Sequence, residues 1–122
     1  MTGDGRRAQR IAGSVREYVG AALGRDLGDR ALAELCVTSV DVTDDLGIAR
    51  IRVRRLGDDA DAKTRAMLVR RLESAAHRLR QGLGRRLRLR RVPELEFFWD
   101  DGQDAAARVQ ELLKEIADER GK

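Results

Sequence analysis

Two short alternating stretches on either side of an acidic turn constrain this chain most. Over residues 35–43 the β-branched content rises, and Cys36, Thr38, Val40 and Val42 fall on one side of an extended chain. After Asp44, Asp45, Leu46 and Gly47, the residues Ala49, Ile51 and Val53 alternate with Arg50, Arg52 and Arg54. The pattern predicts a hairpin with one apolar and one wetted face, with Gly47 suited to a left-handed position in the turn. Two strands cannot bury an apolar face alone, so the flanking segments must cover it.

Those segments carry helical periods. Ala8, Ile11, Val15, Tyr18 or Val19, and Ala22 recur on one face and predict a helix over residues 7–23. Gly24 and Gly28 weaken its continuation, leaving residues 25–33 as a connection or short terminal turn. Asp58, Asp59 and Asp61 can cap a second helix over about residues 62–83, in which Val69, Leu72, Ala76, Leu79 and Leu83 turn inward and Arg71, Arg78 and Arg85 project from another side. Gly82 and Gly84 predict a break. Leu87 and Leu89 then alternate with Arg86, Arg88 and Arg90 as an extended segment, and Pro93 requires an exposed or edge position. Leu95, Phe97 and Trp99 share one face of a last strand, with Glu96 and Phe98 on the other. A turn over residues 100–103 leads to Asp104 as cap of a final helix bearing Ala105, Val109, Leu112 or Leu113, and Ile116. A chain of 122 residues suits one core. The expectation is an α+β fold, a three-stranded sheet with helices on one face, in a single domain over residues 6–117, with residues 1–5 a flexible leader and 118–122 a flexible tail.

Charge is segregated beneath a net +4. Residues 1–64 balance eleven basic against eleven acidic side chains, residues 65–92 set ten arginines against Glu73 alone, and residues 93–119 set nine acids against Arg108 and Lys114. The run Arg78, Arg80, Arg85, Arg86, Arg88, Arg90 and Arg91 is therefore the candidate docking surface for RNA phosphates, with Arg7 and Arg10 as weaker candidates. Exposed aromatics do not interleave with it, which argues against base stacking on single strands, and Phe97, Phe98 and Trp99 are expected in the core or at its edge.

Catalysis lacks parts. With one Cys and one His, a Cys/His zinc site cannot be built in one chain. A Cys36–His77 nucleophile pair is conceivable, but Cys36 reads as a buried strand residue. Gly82-Leu83-Gly84 lacks the Lys and Ser/Thr of a phosphate loop. No catalytic residue, metal or cofactor is expected. The single cysteine excludes an intrachain disulfide and suits a reducing cytoplasm, and no apolar run is long enough to cross a bilayer.

Several stretches together resemble the ribosome-binding factor A family of small bacterial ribosome-assembly proteins. They are Arg7-x-x-Arg10-Ile11; Val37 to Leu46 followed by Ala49; Leu79-Arg80; Leu87-Arg88-Leu89-Arg90-x-Val92-Pro93-Glu94-Leu95-x-Phe97; and Asp100. The likeness runs from Arg6 to Leu113. It implies a KH-like (type II-like) fold without the Gly-x-x-Gly clamp, in helix–strand–strand–helix–strand order. It also implies an Ala-x-Gly kink in the central helix, at whose positions this chain has Ala75, Ala76 and His77, and His77 is expected at the helix surface with at most a shallow bend. The family's Asp-Pro-Arg-Leu before the first strand is here Asp29-Arg30-Ala31-Leu32. By the same resemblance the chain would be a non-enzymatic factor, and the single compact α+β domain is expected to be predominantly monomeric. Its partners would be the free small (30S) ribosomal subunit and ribosomal RNA, whose late maturation it would assist. A general RNA chaperone, or a non-ribosomal protein-interaction domain using the acidic carboxy-terminal segment, is the alternative.

Overall fold

The hairpin forms as the alternation requires: β1 (Leu35–Val42) pairs antiparallel with β2 (Ile48–Arg55). In this computed structural model residues 2–55, 57 and 60–100 are described, leaving aside the side chains of residues 2–4. The turn is not closed by its glycine. Leu46, not Gly47, takes the left-handed conformation, with φ 61°, which costs a non-glycine residue roughly 1–2 kcal/mol. Hydrogen bonds offset that cost: Asp45 Oδ1 accepts from Thr43 Oγ1 at 2.7 Å and from the Gly47 N–H at 2.9 Å, and the Leu46 N–H donates to the Thr43 carbonyl at 2.8 Å. The Thr43 hydroxyl, and then the Gly47 amide, hold the Asp45 carboxyl below the usual aspartate range.

A bulge overturns part of the expected strand. Val37 pairs with Val53 but Ser39 pairs with Arg52, so Thr38 is the extra residue and the inward face switches there. Leu35 and Val37 meet the core before it, Val40 and Val42 after it. Cys36, expected inward beside Val40, instead lies half-buried opposite Arg54. Thr38 Oγ1 donates to Asp100 Oδ2 at 2.7 Å.

Helix α1 (Thr2–Arg25) begins earlier than its apolar period, so residues 2–5 of the expected leader are helical. Its inward face is the predicted one: Ala8, Val15, Val19 and Ala22 are buried, with Ile11 and Tyr18 half-buried against the core. Gly28 at φ 65° redirects the chain into the short α2 (Arg30–Ala33), where Asp29 Oδ1 accepts from the N–H groups of Ala31 and Leu32.

Helix α3 (Ala62–Leu87) starts at Asp61, whose Oδ1 accepts from the Thr64 N–H at 2.8 Å. Asp58 and Asp59 lie outside the described residues. Leu68, Leu72, Leu79 and Leu83 are buried, and Val69, Ala75 and Ala76 lie partly against the core. The break expected at Gly82 and Gly84 does not occur; the helix runs through both to Leu87. These glycines are sites of close approach. A Cβ on Gly82 would overlap the Tyr18 hydroxyl, and one on Gly84 would come within 2.8 Å of Val92 Cγ2. Closer packing of α1 and of the next segment thus outweighs the helix cost of about 1 kcal/mol per glycine. The extended segment expected from Leu87 and Leu89 is likewise absent: Leu87 closes the helix, Arg88 caps it in a left-handed conformation (φ 52°, ψ 41°), and Leu89 belongs to an irregular connection. Ala75, Ala76 and His77 sit within uninterrupted helix, and His77 is exposed.

Strand β3 (Glu94–Trp99) pairs parallel with β2, giving the order β1-β2-β3, so α3 is the crossover between parallel neighbours. Leu95 and Phe97 are buried beside Ala49 and Ile51. Pro93, expected at an exposed or edge position, is fully buried at the start of this edge strand. The core draws on one sheet face with α1, α2 and α3, while Arg50, Glu96 and Phe98 lie on the other. This is a three-stranded mixed sheet with helices on one face, the α+β, KH-like arrangement. The turn over residues 101–103, the Asp104 cap, the final helix through Ala105, Val109, Leu112, Leu113 and Ile116, and the tail at 118–122 lie outside the described residues.

Candidate nucleic-acid interface

The end of α3 concentrates cations because the sequence places them where the helix stops. Arg85 and Arg86 occupy its last turn, Arg88 caps it, and Arg90 and Arg91 follow in the connection; all five are exposed. Among the described residues none of them makes an ion pair or a side-chain hydrogen bond. Cations in a last helical turn favour the negative end of the helix dipole by about 0.3–1 kcal/mol. That local benefit leaves Arg90 and Arg91 unexplained. Arg91 contributes the smallest of the attractions that lower the Asp45 carboxyl.

The two earlier arginines of the run are differently placed. Arg80 is half-buried: Nε donates to the Pro93 carbonyl at 3.0 Å, Nη2 donates to the Val92 carbonyl at 2.9 Å, and Nη1 is 3.6 Å from Glu94 Oε1. Arg78 is exposed but donates through Nη2 to the Asp26 carbonyl at 3.1 Å, just beyond the end of α1. Arg71 reaches both carboxylate oxygens of Asp29, at 3.3 and 3.2 Å. The basic run thus divides into arginines that tie elements together and arginines that project, a division that composition does not show.

Tyr18 against Gly82 and Arg78 against Asp26 run α1 and α3 in opposite directions, so the amino-terminal half of α1 lies toward the end of α3. A cleft of about 310 Å³ between them is lined by Ser14, Tyr18, Arg25, Asp26, Arg86 and Leu87, among others. Arg10 and Arg7 are one and two turns before Ser14 on the same helical face, and both are exposed. They extend the basic end. The Tyr18–Gly82 contact that fixes this geometry was not anticipated, although a tyrosine on an apolar helical face and a glycine inside a periodic helix are both visible in the sequence.

The sheet face is less uniformly basic. Arg52 Nη1 is 2.8 Å from Asp41 Oδ2 and 3.3 Å from Ser39 Oγ, and Arg50 Nε is 3.6 Å from Glu96 Oε1. Arg54 is not without a partner either. Of the aromatics, Phe97 is buried and Trp99 half-buried with the Arg65 guanidinium 5.8 Å above its ring, while Phe98, expected at the core or its edge, is exposed. His77 and Cys36 lie on α3 and β1, and among the described residues no group of three or more His, Cys, Asp or Glu is placed to hold a metal ion. No described helix is long and apolar enough to cross a membrane.

Comparison with known proteins agrees with this arrangement. The family model described as ribosome-binding factor A matches residues 7–113. Ribosome-binding factor A of Sorangium cellulosum is 44% identical over 118 residues, covering 97% of this chain and 94% of that protein. The crystal structure of ribosome-binding factor A from Thermus thermophilus superposes with a TM-score of 0.62 at 25% identity, over 75% of this chain and 93% of that one. A homology model of the Thermus thermophilus factor, fitted into a cryo-EM map of its complex with the 30S subunit, superposes with a TM-score of 0.59 at 26% identity, over 75% of this chain and 91% of that one. A family-model match over most of the length, together with a relative at 44% identity, means that the chain belongs to the ribosome-binding factor A family.

Proposed function

We propose that this chain binds ribosomal RNA of the free 30S subunit and assists its late maturation as a cytoplasmic monomer. It is a non-enzymatic assembly factor, as the members of its family are. The observation that carries the RNA reading is the group Arg85, Arg86, Arg88, Arg90 and Arg91, exposed together at one end of the molecule without ion pairs among the described residues. Guanidinium groups so placed can fork onto phosphate oxygens, and their binding releases condensed counterions. Folded RNA is read mostly by shape and backbone, which suits a cationic end with no exposed aromatic side chain among its described residues. The factor would hold one conformation of the RNA while other proteins do covalent work. The fitted Thermus thermophilus complex supports a 30S partner by likeness.

Sedimentation with purified subunits tests the partner: the chain should travel with free small subunits and not with complete ribosomes. Chemical footprinting on small-subunit precursors should show a confined protected patch. Protection spread evenly over unrelated RNAs would favour a general RNA chaperone.

A further inference from the structure

We infer that Arg80 is a positioning residue, whose guanidinium holds the Val92 and Pro93 carbonyls and so sets the path of the Arg88–Arg91 connection without itself touching RNA; this rests on the proposed reading of that end as the RNA surface. All three side-chain nitrogens are turned toward the chain. Nε and Nη2 donate to consecutive carbonyls at 3.0 and 2.9 Å, and Nη1 faces Glu94 at 3.6 Å. The Glu94 side chain is 69% exposed, so that ion pair contributes little. The two carbonyl bonds, both part-buried, fix the geometry.

The connection hangs between fixed ends. At its start Arg88 takes the left-handed cap of α3. At its finish Val92 lies against Gly84, which has no side chain to keep it away, and the Glu94 N–H donates to the Gly47 carbonyl at 2.9 Å. Arg80 joins the body of α3 to this finish across 12 and 13 residues of sequence. Arg90 and Arg91 have no helical or strand backbone beneath them. Their direction therefore depends on how firmly the finish is held. A planar fork can reach two adjacent carbonyls at once, whereas a lysine ammonium is a point donor that cannot reproduce both bonds in that plane. A connection already fixed loses less freedom when RNA binds.

The test compares Arg80→Lys and Arg80→Met with Arg85/Arg86/Arg88→Gln in the full chain, reading amide exchange, circular dichroism and affinity for small-subunit precursor particles over a salt series. Positioning predicts faster exchange at Leu89 to Val92, an unchanged spectrum, and a loss of about tenfold in affinity for both Arg80 variants, although lysine keeps the charge. Arg80→Lys that binds like the unaltered chain, while the triple variant loses binding, overturns the positioning role alone. Normal exchange in Arg80→Met, with a salt slope lowered by about the amount one phosphate neutralisation supplies, overturns it in favour of a direct phosphate contact. Normal binding by the triple variant overturns the reading of the RNA surface beneath it.

Discussion

On β2, Arg50 and Arg52 alternate along a strand whose partners set Glu96 and Asp41 beside them; at the end of α3, five arginines project with no such ion-pair partner among the described residues. The two groups look alike in sequence. Pairing separates them, because strand register brings distant acids within 4 Å of an arginine, whereas the exit from a helix turns successive side chains outward. The difference teaches that cation density becomes available charge only where the fold supplies no counter-charge. Arg80 and Arg78 mark the transition, since they lie in the same run yet are held by backbone carbonyls.

Both regions stand on one core, so the harshest test removes their common support. Leu79 is 2% exposed within the cluster that includes Ile51 and Phe97. Leu79→Ala should cost about 2–5 kcal/mol in denaturant unfolding. Amide exchange should rise in β2 and α3 together. Unfolding of α3 alone, with β2 still protected, would show that the regions do not share a cooperative unit.

Next in size is the direct contrast. Arg85/Arg86/Arg88→Gln should weaken binding to small-subunit precursors by about tenfold or more and flatten its salt dependence by somewhat under one logarithmic unit for each arginine–phosphate pair removed. Its circular dichroism should be unchanged, as surface substitutions usually cost little stability. Arg50/Arg52/Arg54→Gln makes the same change in charge and should bind nearly as the unaltered chain does. Equal losses would mean diffuse attraction; loss in the second variant only would move the site to the sheet.

How far this contrast could be read in advance varies by element. The hairpin, the inward faces of α1 and α3, and the last strand follow from periods of 2 and 3.6, since those positions meet one core. The bulge at Thr38 was not legible because apolar residues occupy both alternations, Leu35 and Val37 on one and Cys36 on the other. Gly82 and Gly84 read as a break because a glycine's local cost is visible in sequence while the Tyr18 and Val92 atoms filling its space are not. Leu87 and Leu89 satisfied a strand's period, but Leu83 and Leu87 also satisfy a helix's, and the helix prevailed. The arginine cluster was legible as charge. Its division into clamps and projecting groups was not, since Arg80 finds its carbonyls only once Pro93 folds back.

Gly82 also links the two regions mechanically. In Gly82→Ala the added Cβ must displace Tyr18, and with it part of α1, which should cost about 1–3 kcal/mol. Arg7 and Arg10 would then shift relative to Arg86, while β2 and its ion pairs keep their register. Tyr18→Phe in the same chain should recover part of the stability. A Gly82→Ala protein as stable as the unaltered chain would show that the helices part without strain.

A smaller effect sharpens the sheet side. Asp41 is 68% exposed and Arg52 only 16%, so their bond combines a wet partner with a dry one. Asp41→Asn keeps an acceptor for Nη1 and should lower stability by less than about 1 kcal/mol. Arg52 Nε is already buried and has no acceptor among the described residues, so a second loss at this guanidinium would be felt more. Measured coupling near zero in a double cycle with Arg52→Gln would remove the counter-charge from the comparison.

The smallest test asks whether the projecting group is as unpartnered as it looks. Asp45 is held below the usual aspartate range first by the Thr43 hydroxyl, then by the Gly47 amide, and least by the Arg91 charge. A carboxyl depressed in the folded chain contributes stability that is present above the ordinary aspartate range and is lost as pH falls through its folded value. The turn should therefore loosen only in acid, and RNA binding near neutrality should not depend on it. In a carbon-detected titration, Thr43→Val should raise the Asp45 midpoint clearly, and Arg91→Gln should raise it only slightly. A rise in Arg91→Gln as large as that in Thr43→Val would mean that Arg91 is paired with Asp45 in solution. It would then belong with Arg50 and Arg52, and the projecting surface would shrink to Arg85, Arg86, Arg88 and Arg90.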